Sequence, residues 1–267
     1  MQKKRIGLLG CGALSRTFLK IYREYLTEDY ETVGIFTRSP EKAKDLQDHY
    51  ILCSSMEELL KEAPEIIVEF AGVEAVREYG IQILEQGISF VAASIGALAD
   101  LQFYGKMQKA AKASGAKLYL TSGAIGGFDV MRTMAMDGTA TVKIINKKSP
   151  AGLNGAPGLQ GRELQEEQEE LIFQGNALQA IHDFPKNVNV AVAASLAVAD
   201  TEHSQVEIYS VPGLKENSHR ILVENSLGKA DLEITSKPDP DNPKSSTITA
   251  WSTAALLKNL ASPVQFF

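Results

Sequence analysis

Short apolar runs alternate with amphipathic stretches through the first half of the chain. The segments "RIGLLG", "ETVGIFT", "EIIVEFA", "SFVAAS" and "KLYLTS" have the length and composition of buried strands. Between them, helical periodicity covers residues 14–25, 40–48, 55–62, 73–86 and 101–114. Pro40 suits a first helical position, and "SSMEEL" offers a serine cap with acidic residues in the first turn. Strands separated by helices require right-handed crossovers, and hence a mainly parallel sheet. The pattern predicts an α/β fold whose N-terminal part is a doubly wound Rossmann domain.

After about residue 139 the pattern changes. "TVKII", "LIFQG", "QVEIYSV", "HRILVEN" and "ADLEIT" read as strands, several with the polar/apolar alternation of a sheet buried on one face. Helical stretches at 177–181 and 190–199 interrupt them, and a last helix over 246–260 follows the loop "KPDPDNPKSS". The glycine-rich "AGLNGAPGLQG" and the acidic "RELQEEQEEL" read as solvated linker or insertion. The expected organisation is a dinucleotide-binding domain over 1–138, then a smaller α/β domain with a mixed or antiparallel sheet over 139–245. Residues 246–267 are expected to pack as a helix back toward the first domain.

Composition narrows the function. A chain of 267 residues with net charge −6 and no basic run longer than "KKR" argues against a nucleic-acid binder. No stretch reaches the ~18 uninterrupted apolar residues of a membrane span. The start "MQKKRIGLLGCG" reads as a first strand running into a motif, not as a signal peptide. Two cysteines, Cys11 and Cys53, make neither a disulfide framework nor a metal cluster, which points to a reducing cytoplasm.

The first motif with chemistry is "LLGCGALS". Gly10 and Gly12 fall between the first strand and the first helix, where a tight turn would bring a pyrophosphate onto the helix N-terminus; Ala13 and Leu14 open that helix. Ser15 occupies the third glycine position and is small enough for close helix–strand packing. The second strand ends "GIFTRSPEK", without the acid that holds a ribose 2′-hydroxyl. Thr37 and Arg38 can instead pair with a 2′-phosphate, which favours NADP while leaving NAD as an alternative. Phe70, Ala71 and Gly72 in "EFAGVEAV" and Ser94 in "AASIGALAD" follow later strands, where such folds bind their ligands. The next strand end, "LYLTSGAIGGFDV", has three glycines in five residues, read as a close approach of backbone and cofactor.

The segments "SGAIGGFDV", "DFPKNVNVAVAASLA", "NSHRI" and "DNPKSSTITAWST" stand in an order and spacing that resemble the L-aspartate dehydrogenase family across essentially the whole chain. The resemblance implies a Rossmann domain followed by an α/β substrate domain, and a homodimer. It implies interconversion of L-aspartate and iminoaspartate with NAD or NADP, the imine passing to oxaloacetate and ammonia or into NAD biosynthesis. It also implies that Ala124 and Asn189 bind cofactor and that His219 is catalytic. The chain departs from the family pattern at the second strand, at "KKSPAG", and at Val211, where members often carry Asp.

A dicarboxylate substrate needs cationic and N–H partners. Lys148, Ser122 and the backbone around Gly123 and Gly126 are the candidates, with Lys147 or Lys244 as alternatives to Lys148. Of the other histidines, His49 and His203 read as surface residues and His182 as the end of a helix. Asp129, Ser246 and Thr247 read as helix caps. No G-x-S-x-G elbow and no metal-ligand cluster is present. Two rival readings remain: a reductase of another small carboxylated substrate on the same fold, and a non-catalytic NADP-binding sensor.

Overall fold

A computed structural model describes residues 2–185, 188–198, 200–237 and 246–266. The chain forms two compact units, one of Met1–Ala97, Gln102–Thr121 and Thr249–Phe266, the other of Leu98–Leu101 with Ser122–Ile248.

The first unit is built on β1 (Lys4–Leu9), α1 (Ala13–Tyr25), β2 (Tyr30–Phe36), β3 (Leu52–Cys53), α2 (Met56–Lys61), β4 (Ile66–Glu69), α3 (Val73–Glu85), β5 (Ser89–Ala92), α4 (Leu101–Ser114) and β6 (Leu118–Leu120). The strands form one six-stranded sheet in the order β3-β2-β1-β4-β5-β6, with every pair parallel. Such a sheet is covered on both faces, which is why its strands read as unbroken apolar runs. Ile6, Leu8, Ile35, Val68 and Val91 are buried with Phe18, Leu19 and Leu26 around α1. Ala250, Ala254 and Leu257 of the last helix (Ile248–Ala261) belong to the same core. Tyr30, wholly buried, donates its hydroxyl to Leu257 O at 2.7 Å.

The second unit contains α5 (Phe128–Ala135), β7 (Thr141–Lys148), α6 (Pro150–Leu153), β8 (Glu170–Gly175), α7 (Ala177–Asp183), α8 (Asn189–Val198), β9 (Gln205–Ser210), β10 (Asn217–Asn225) and β11 (Gly228–Ser236); the last helix is α9. Its sheet runs β11-β10-β7-β9-β8, antiparallel except for the parallel pair β7–β9. Helices α5 and α8 pack together and against β7 and β10. On β7 the burial alternates strictly, with Val142, Ile144, Asn146 and Lys148 inward and Lys143, Ile145 and Lys147 outward.

Several expectations need correction. The first unit gives way to the second at Thr121–Ser122, not at 138, because α5 packs on α8 and β10. The segment expected as helix over 40–48 is a 3₁₀ run, Pro40–Leu46, and the short β3 carries too little apolar pattern to read from sequence. Ser55 does cap α2, accepting from Glu58 N at 3.2 Å. Asp129 is no side-chain cap: it lies in the first turn of α5, whose N-cap is Gly127. Ser246 donates to Lys237 O at 3.2 Å, ahead of the helix start. The glycine-rich linker is not wholly solvated, since Leu153 and Leu159 are buried; the acidic stretch after it is exposed.

Candidate active site

The parallel order of the first sheet puts the carboxyl ends of β2, β1, β4 and β5 side by side along one edge. Gly10, Gly12, Ala13 and Leu14 follow or adjoin β1, Thr37 and Arg38 follow β2, Phe70, Ala71 and Gly72 follow β4, and Ser94 follows β5. The structure therefore gathers these candidates on one edge of one unit. Gly10 has a reason that the motif alone does not show. Its φ is +102°, and a Cβ there would lie 2.9 Å from the backbone of Phe70 and Ala71. Gly12 is the N-cap of α1 at φ −84°; no side chain caps the helix, its first turn holds no acid, and a Cβ would meet nothing within 4 Å. An open helix N-terminus of this kind fits a dinucleotide diphosphate. Ser15 is fully buried beneath it. Arg38 is exposed and pairs with Glu78 at 3.3 Å, while Thr37 Oγ1 accepts from Ser39 N at 3.2 Å.

Sequence reasoning missed Glu69. This carboxylate, the last residue of β4, is wholly buried. It accepts from Ala71 N at 2.6 Å, Gly72 N at 2.7 Å, Ser94 N at 2.9 Å and Ser94 Oγ at 2.9 Å. One side chain thus ties the loop after β4 to the loop after β5. Burial pushes its carboxyl up from the usual range, and the four donors pull it back. The signal was present in the sequence: an acid ends the otherwise apolar "IIVE".

The second unit holds the other candidates. His219 on β10 is 3% exposed and pairs in register with Asn146 of β7. Its Nδ1 lies 2.7 Å from Asn146 Oδ1. Lys148, two residues along on the same buried face, is 5% exposed. Burial, with the nearby Lys148 charge, pushes His219 down to about 3, so the imidazole is neutral at physiological pH. Burial pushes Lys148 down to about 8. The face is apolar at one end, where Val142 pairs with Val223 and Ile144 with Ile221, and polar at the other. Lys147 points to the outer face, 2.9 Å from Glu169, which separates it from His219. Lys244 lies outside the described residues.

Ser122 and Gly123 are part of the turn that enters this unit, Ser122 O accepting from Ile125 N at 3.1 Å, and Ala124 is buried there. Asn189 is the first residue of α8. The glycine run has a packing cause of its own. Gly127 has φ +76°, and a Cβ there would collide with Leu232 of β11. His49, His182 and His203 are exposed, and Asp200 and His203 pair at 2.8 Å. Among the described residues no group of three or more His, Cys, Asp or Glu could hold a metal, and no helix is long and apolar enough to cross a membrane.

An NAD-binding domain described for homoserine dehydrogenase matches residues 10–121, and the aspartate dehydrogenase C-terminal family matches residues 129–260. The L-aspartate dehydrogenase of Methanococcus maripaludis is 34% identical over 98% of both chains. This chain belongs to the L-aspartate dehydrogenase family. The Methanospirillum hungatei member is 35% identical over 97% of this chain and 98% of its own. The crystal structure of aspartate dehydrogenase from Thermotoga maritima shares the fold, with TM-score 0.79 and 24% identity over the whole of both chains. Family membership and the NAD-binding domain support a nicotinamide cofactor for this protein.

Within this family member, Glu69→Gln places an amide N–H₂ against donors that need an acceptor. The free energy of urea unfolding should fall by about 2–3 kcal/mol, and cofactor should bind more weakly as the loops holding Ala71 and Ser94 part. An unchanged unfolding curve would show that the carboxylate does not tie them.

Proposed function

We propose that this protein is an NAD(P)-dependent L-aspartate dehydrogenase, in which His219 exchanges a proton with the substrate nitrogen and Lys148 holds a substrate carboxylate. The observation that carries the reading is the buried, uncharged imidazole of His219 on the same sheet face as a buried lysine. Family membership supports the substrate.

The nicotinamide, when bound, supplies the hydride acceptor in deamination and the hydride in amination. Gly10, Gly12, Ala13 and Leu14 would hold its diphosphate end; Phe70, Ala71, Gly72, Ser94, Ala124 and Asn189 would contact the rest. Lys148 neutralises one carboxylate of the dianion, with Ser122 and Gly123 N–H as further donors. A neutral Nε2 on His219 takes a proton from the substrate ammonium, freeing the nitrogen lone pair to form the C=N bond of iminoaspartate as the Cα–H bond breaks. Burial is the main cause that depresses His219, and the Lys148 charge is the second; an anionic substrate next to Lys148 offsets that second cause and strengthens the base. In the reverse direction imidazolium returns the proton. Thr37 and the exposed Arg38 favour NADP through its 2′-phosphate. Homodimer assembly, a cytoplasmic setting and supply of the imine to NAD biosynthesis extend the reading by family resemblance.

The deciding assay is oxidation of NADPH and NADH, in parallel, with oxaloacetate plus ammonium. Turnover should require ammonium and fall about 10²–10⁴-fold in His219→Ala with cofactor affinity held within a few-fold; bound cofactor that is never oxidised would return the protein to a sensing role. Arg38→Ala should weaken NADPH binding by about 1–3 kcal/mol and spare NADH, and equal losses would remove the phosphate contact. The pH dependence follows from Lys148. Because its pKa is lowered to about 8, the cation that binds oxaloacetate is present below that pH and lost as pH rises through it. The ratio of wild-type to Lys148→Met kcat/KM should be about thirty-fold, near 2 kcal/mol, at pH 6–7 and shrink above 8. A ratio independent of pH would assign the carboxylate to another group.

A further inference from the structure

The polar end of the second sheet's buried face carries a third group. Asn146 stands opposite His219 in register, and its Oδ1 lies 2.7 Å from His219 Nδ1. An amide oxygen can only accept, so the shared proton sits on Nδ1 and Nε2 keeps its lone pair. Asn146 is 1% exposed, yet its Nδ2 is buried with no hydrogen-bond partner among the described residues. Ser210, which pairs with Lys148 across β7 and β9, has a buried Oγ that also finds no partner among the described residues. A buried amide donor left unpaired is costly, whereas a leucine of similar volume would fill the space without that cost. The unmet donor therefore points to a ligand acceptor at this end of the face, beside Lys148.

We propose that Asn146 positions His219 through Oδ1 and donates from Nδ2 to a carboxylate oxygen of the substrate, so that one side chain fixes both partners of the proton transfer. This rests on the dehydrogenase reading above. In deamination a proton leaves the substrate nitrogen for Nε2, and the Nδ1–H bond to Oδ1 stabilises the resulting imidazolium; Asn146 itself neither gains nor loses a proton. Among the described residues, few charged groups face His219. Lys148 does so from β7; β11 opposes His219 with Ile234, and α8 has no titratable side chain. Asp129 and Arg132 of α5 are exposed, and Glu233 accepts from Ser218 at 2.9 Å.

Two arms test the proposal. In ¹⁵N-histidine-labelled wild type, the His219 signals, identified by their loss in His219→Ala, should show the Nδ1-protonated tautomer; an Nε2-protonated ring would overturn the positioning role. In the ammonium-dependent assay, Asn146→Asp keeps the acceptor and replaces the donor with an anion. Its kcat should stay within about tenfold, its KM for oxaloacetate should rise at least about tenfold, and in the opposite direction, aspartate oxidation, where neutral His219 is the base, the acid limb of kcat/KM should move to higher pH. Asn146→Leu should lose about 10²-fold or more in kcat. Equal kcat losses in both variants would refute the acceptor role, and an unchanged KM in Asn146→Asp would refute the donor role. Wild type without ammonium-dependent turnover would instead sink the dehydrogenase reading and the carboxylate contact with it, while the tautomer measurement still judges the His219–Asn146 pair.

Discussion

The pleat of β7 governs the chemistry of the second unit. Side chains alternate across a strand, so a residue either joins the buried face or leaves it, and a shift of one position exchanges the two sets. Asn146 and Lys148 go in and Lys147 goes out, although Lys147 and Lys148 are identical neighbours in sequence. Register with β10 then sets His219 opposite Asn146. Everything proposed for the site depends on this phase. A one-residue slip would carry Lys147 inward and take Lys148 away from His219, and it would also expose Val142 and Ile144. The apolar end of the face thereby fixes the placement of the polar end, because burying the valine and isoleucine favours only one phase.

A comparable device operates in the first unit, with polar groups in place of apolar ones. The carboxyl ends of parallel strands leave backbone N–H groups that a loop must satisfy. Glu69 gathers three of them and a serine hydroxyl from two loops. Gly10 allows the turn after β1 to lie against the same loop after β4. The N-terminus of α1 beside them carries no side-chain cap and no acid in its first turn. Rigid support of this kind matters in a dehydrogenase, where the cofactor brings the reactive carbon and the protein contributes orientation.

Much of this was legible in the amino-acid sequence. Continuous apolar runs with intervening helical periodicity specify a parallel sheet, since only strands covered on both faces can be apolar throughout. The run "TVKII" reads as a strand, but its alternation stops at Ile145, so the inward turn of Asn146 and Lys148 was not legible there. The glycine spacing after β1 and the segments around Ala124, Asn189 and His219 marked candidates that the fold distributes over its two units. Local caps were less secure: Ser55 behaves as its sequence suggests, whereas Asp129 falls inside a first turn that begins after Gly127, and Ser246 donates to Lys237 O ahead of its helix.

The sequence by itself determined the class of fold, the order of its longer elements and the residue types available for catalysis, because these follow from periodicity and local conformational preference. Tertiary structure decided which lysine is buried, what partners the histidine, what packs against Gly127, and that a buried glutamate ties two loops. Each of those depends on contacts between residues far apart in the chain: Asn146 with His219, Gly127 with Leu232, Glu69 with Ser94. No local pattern encodes such pairs, since they exist only when strand register and loop path bring the groups within hydrogen-bonding or van der Waals reach.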